Sequence, residues 1–71
     1  KGMAPKKFIC HCAVEMYDNC FNEFARKHPT VKVKATSKEE AEQIVKLILS
    51  KRYKDRMTYV MGVFVTKVRR A

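Results

Sequence analysis

One long stretch of this chain repeats its apolar residues with a helical period and carries helix signals at both ends. Over residues 37–53, Ala41, Ile44, Val45, Ile48 and Leu49 recur at helical spacing, with Leu47 at the edge, so they line one side of a helix. Both ends are marked. Ser37 stands three residues before Glu40, the spacing of a capping box, in which each side chain satisfies a free backbone N–H. Glu39, Glu40 and Glu42 come early and Lys51 and Arg52 late, the order that the helix dipole favours. One amphipathic helix cannot bury its own stripe, so the rest of the chain must supply a second layer.

That layer reads as strands. In residues 8–17, Phe8, Cys10, Cys12, Val14 and Met16 alternate with Ile9, His11, Ala13, Glu15 and Tyr17, as on a half-buried strand. Residues 30–36 set Val31, Val33 and Ala35 against Lys32, Lys34 and Thr36. Residues 57–69, rich in valine and aromatics, form the last strand. Alternation puts Tyr59, Met61, Val63 and Val65 on one face and Val60, Phe64 and Val68 on the other. Gly62 marks a bulge or a close backbone approach.

Asp18-Asn19 signals a turn or a helix start. Residues 20–28 admit two readings. A short helix with the stripe Cys20, Phe21, Phe24 and Ala25 is favoured over the bulged start of a returning strand. Pro29 closes either one, because proline cannot donate a backbone hydrogen bond. Residues 1–7, broken by Pro5, read as a flexible basic tail, with Lys1 and Gly2 set aside because they precede a methionine. The expectation is one domain, 1–71, of the α+β class. It has two layers: a small antiparallel three-stranded sheet with one main helix on one face. The order is strand, short helix or bulge, strand, helix, strand.

At 71 residues there is no room for a second domain, and a deep substrate cavity is not expected. Lys and Arg number 16 against 7 Asp and Glu, for a net charge of +9. Such a surface attracts nucleic acid, an acidic protein face or anionic lipid. No apolar run approaches the ~18 residues of a membrane span and no leader is seen, so a cytoplasmic chain without a membrane partner is expected. An odd count of three cysteines suits free thiols in a reducing compartment. Cys10, His11, Cys12, Cys20 and His28 are zinc-ligating types. On an extended strand, however, Cys10 and Cys12 stand nearly 7 Å apart at ~3.3 Å per residue, with His11 on the other face. They read as small buried apolar residues, and neither metal nor cofactor is expected. With no nucleophile–base spacing, glycine-rich phosphate loop or carboxylate pair, neither is catalysis.

The basic residues gather at Lys6-Lys7, Arg26-Lys27, Lys32/Lys34, residues 51–56 and Lys67/Arg69/Arg70. Lys67 and Arg69 alternate at the end of a strand, so both project to one side, and Arg70 adds a third cation. These three suit carboxylates on a partner. Lys32, Lys34, Arg52, Lys54 and Arg56, with the aromatics of the sheet, suit phosphates and bases.

The segments KKF (6–8), ATSKEEAEQIVKLI (35–48) and VFVTKVRR (63–70) together resemble the small inhibitors of host RNA polymerase made by podovirus-type coliphages. The likeness covers residues 6–8, 31–49 and 63–69. It implies a strand–strand–helix–strand fold and a non-enzymatic phage protein that disables a bacterial host protein. In that family two alternating basic residues of the last strand bind acidic residues of the polymerase jaw, and the matching positions here are Lys67 and Arg69. This chain departs from the family in having lysine rather than arginine at position 67. It also carries an insertion at 20–29 and a longer basic link at 51–56, and it keeps only a partial echo, in Glu39, Glu40 and Glu42, of the family's acidic strip. The sequence thus leads to a host-protein binder with RNA polymerase as first target, with a nucleic-acid-binding module as the alternative. It leaves the choice between monomer and homodimer open.

Overall fold

A computed structural model describes residues 4–71. Its elements are β1 (Lys6–Asp18), β2 (Glu23–Lys27), β3 (Thr30–Ala35), α1 (Lys38–Tyr53) and β4 (Thr58–Arg70). The α+β, two-layer expectation holds: one antiparallel sheet carries one helix. β1 is central. It pairs with β4 along one side and with β3 and then β2 along the other.

The favoured short helix at 20–28 is absent: residues 20–22 belong to a turn and Glu23–Lys27 to a returning strand, the alternative reading, so the sheet gains a fourth segment. Val14 faces Lys27 and His11 faces Thr30, so one unbroken register runs through both pairings. β2 and β3 are a single returning strand, interrupted where Pro29 has no N–H to give. The Pro29 carbonyl still accepts from the Cys12 N–H, at 3.0 Å. Non-local pairing outweighs the local helical spacing because the upper half of β1 needs backbone partners. Two cross-strand contacts reinforce it: Tyr17 meets Phe24 edge-on at 5.0 Å between ring centroids, and Arg26 pairs with Glu15. The Asp18 carboxylate closes the turn by accepting from the Cys20 N–H at 2.8 Å. Asn22 takes the left-handed conformation, φ 54°, which asparagine tolerates.

The expected tail, 1–7, is overturned at its end. Lys6 and Lys7 already belong to β1, opposite Ala35 and Lys34, and residues 1–3 lie outside the described residues. β4 departs from strict alternation. Its register slips at two points, leaving Met61 and Thr66 as extra residues. The core-facing residues are therefore Val60, Val63, Val65 and Val68, opposite Met16, Val14, Cys12 and Cys10. Tyr59, Gly62, Phe64, Lys67 and Arg69 face the other way.

α1 lies across β1, β3 and β4. Ser37 caps it as expected, accepting from the Glu40 N–H at 3.1 Å. The Glu40 carboxylate reaches one residue further than in a standard box and accepts from the N–H and the hydroxyl of Thr36. The core is Phe8, Cys10, Cys12, Val14, Met16, Val31, Val33 and Ala35 from the sheet, with Ala41, Val45 and Leu49 from the helix. Ile44 and Ile48 are only half-buried, and Leu47 is exposed. Among the described residues no helix is long and apolar enough to cross a membrane.

Candidate functional site

The sheet face opposite the helix is the surface where chemistry-bearing residues converge. On β1 it shows Lys7, Ile9, His11, Ala13, Glu15 and Tyr17. Register then fixes the neighbours. Lys34 faces Lys7, Lys32 and Arg69 flank Ile9, Lys67 and Thr30 flank His11, and Phe64 faces Ala13. Further along, Gly62 and Arg26 flank Glu15, and Tyr59 and Phe24 flank Tyr17. The face divides in two. One half carries Lys7, Lys32, Lys34, Lys67 and Arg69; the other carries Tyr17, Phe24, Tyr59 and Phe64. Among the described residues Glu15 is the one carboxylate on this face, and Arg26 pairs with it.

Several local devices hold this surface in place. The Arg69 Nε–H donates to His11 Nε2 at 3.3 Å, and Thr30 Oγ1 lies 3.4 Å from His11 Nδ1. An Nε2 that accepts carries no hydrogen, so Nδ1–H is the donor toward Thr30. His11 thus fixes the direction of Arg69. It looked like a ligand type in the sequence, and its alternation with buried cysteines was the signal that it belongs to this face. Thr66, the extra residue of one bulge, donates its hydroxyl to the His11 carbonyl at 2.9 Å. Both readings of Gly62 apply: the second bulge adjoins it, and the Phe64 ring lies over it. A Cβ there would meet the ring's Cζ at 2.9 Å.

The sequence-derived site residues do not all assemble. Lys67, Arg69, Lys32 and Lys34 share the open face as expected. Arg70 does not join them. It turns to the helix side, its guanidinium carbon 5.8 Å from the centroid of the Phe8 ring, and covers the end of the core. Arg52, Lys54 and Arg56 sit at the other end of the molecule, where the Asn19 N–H donates to the Met57 carbonyl at 2.7 Å. There Lys51, Lys54 and Arg56 line a shallow depression with Asn19 and Tyr59. Phe21 and Phe24 do not cover the second apolar row of β4, since they are 71% and 70% exposed.

Cys10 and Cys12 lie in the core on the helix side, with the Cys12 thiol 3.6 Å from the Cys10 carbonyl. Burial raises both thiols above their ordinary value; Glu42 adds to the effect at Cys10, and Cys10 itself at Cys12. Cys20 is exposed in the turn. Comparisons with family models, curated proteins and solved structures find no match to this chain.

Proposed function

We propose that this protein is a non-enzymatic, phage-encoded inhibitor that seats the basic half of its open sheet face on an acidic surface of a bacterial host protein inside the host cytoplasm. RNA polymerase is the leading target. The observation that carries the reading is the placement of Lys67 and Arg69 on one face beside Lys32 and Lys34, with Arg69 oriented by His11. A pre-positioned guanidinium loses less freedom on gripping a carboxylate. A cluster of like charges also speeds the encounter with an acidic partner. The resemblance of the β4 end and the capped helix to polymerase inhibitors supports the choice of target. Inhibition would follow from occupying the surface, by steric blockade or by trapping a mobile element.

The test is binding of wild type and of Lys67→Glu, Arg69→Glu to purified, immobilised bacterial RNA polymerase, after nuclease treatment. Neither side chain contributes to the core, so the fold should change by less than about 0.5 kcal/mol. Removing charges buried at an interface costs about 2–5 kcal/mol of binding, so capture should be lost. Undiminished capture by the variant overturns the site, and absence of wild-type capture overturns the target.

A further inference from the structure

The aromatic half of the open face has no role in that reading. Tyr59 is 67% and Phe64 50% exposed, and both project from β4 on the side away from the helix. Phe24 and Tyr17, which meet edge-on, lie beside Tyr59 on the same face across β1 and β2. We infer that the open face is a platform for single-stranded nucleic acid, with bases stacked on Phe24, Tyr59 and Phe64 and the backbone running onto Lys67, Arg69, Lys32 and Lys34.

Charge and exposed rings both select this occupant. Half of the face bears exposed rings, with its one carboxylate, Glu15, paired by Arg26, and the adjoining half is cationic. A second copy would bring its own net +9 against the same charges. An acidic protein would satisfy the cations but does not need the rings. A duplex hides its base faces, whereas single strands offer every base for stacking, without need of sequence. From Tyr17 to Ile9 the strand spans about 26 Å at ~3.3 Å per residue, so rings and cations lie within reach of one short oligonucleotide. Gly62 leaves room for the Phe64 ring on this floor, because a Cβ there would meet the ring's Cζ at 2.9 Å.

The inference shares Lys67 and Arg69 with the host-protein reading but does not depend on it, because the assay contains no host protein. Binding of a labelled oligo-dT is measured by anisotropy, beside a duplex of equal length and polyglutamate. Wild type should bind the single strand more tightly than the duplex, with its tyrosine emission quenched. Phe64→Ala with Tyr59→Ala should weaken binding roughly five-fold or more per ring and leave the salt slope unchanged. Lys32→Gln with Lys34→Gln should flatten that slope by roughly 1.4, at about 0.7 per phosphate contact. Should the ring variant fail to fold, tyrosine quenching in the wild type decides alone. Equal or tighter duplex binding overturns the inference, as does unquenched emission. Polyglutamate binding with the same ring dependence also overturns it and points to an acidic protein instead.

Discussion

His11, Cys10 and Cys12 are consecutive, and the period of a strand gives them opposite fates. The two thiols enter the core, where burial holds them protonated and therefore poorly nucleophilic. His11 turns outward and orients Arg69. In native protein a thiol reagent should modify Cys20 at once, and Cys10 and Cys12 only after denaturant is added. Rapid reaction of all three would contradict the packing described. These fates were legible in the sequence, because alternation alone places the cysteines with Phe8 and Val14. The partnership of His11 with Arg69 was not, since it needs the register between residues 58 positions apart. Arg70 shows the same limit: proximity in sequence grouped it with Arg69, and one step along a strand sends it to the opposite face.

Helix α1 anchors the sheet through its fully buried residues. Leu49 has no exposed surface, so Leu49→Ala should cost about 2–5 kcal/mol, comparable with the ~5 kcal/mol expected of a chain this small. The half-buried Ile44 should cost clearly less on the same change, and equal losses in thermal or urea melts would show that the buried stripe is misplaced. The N-terminus of the helix titrates. Hydrogen bonds from the Thr36 backbone and then its hydroxyl hold the Glu40 carboxyl below the ordinary 4.5. A folded value below the unfolded one means that the contribution is complete above the ordinary value and lost as pH falls through the folded one. Wild type should therefore lose more melting temperature between about pH 6 and pH 3 than Glu40→Gln, which keeps an acceptor that does not titrate; parallel losses would contradict the bond. Helix, cap and the faces of β1 and β3 were all readable from local pattern. β2 was not, because its partner is β1 and its own residues carry a helical spacing. The bulges of β4 left a trace in the valine spacing 60, 63, 65, 68, which strict alternation cannot accommodate.

The whole molecule is elongated, 49 Å in its longest dimension, because β1 and β4 each run 13 residues. Length separates the charges that composition lumps together. Lys32, Lys34, Lys67 and Arg69 lie on the open face, and Arg52, Lys54 and Arg56 at the far end beside the hairpin turn. Sequence identified both groups as basic, but only the register and the path of the helix show that they cannot serve one compact contact. In the function proposed above, partner binding belongs to the open face and not to net charge. It is tested most directly by comparing two variants against immobilised RNA polymerase, Lys67→Glu, Arg69→Glu and Arg52→Glu, Lys54→Glu, Arg56→Glu, with the melting temperature of each recorded. The first variant should lose capture while the second, with the larger change in charge, keeps most of it. Equal losses, or a greater loss in the second, would contradict it.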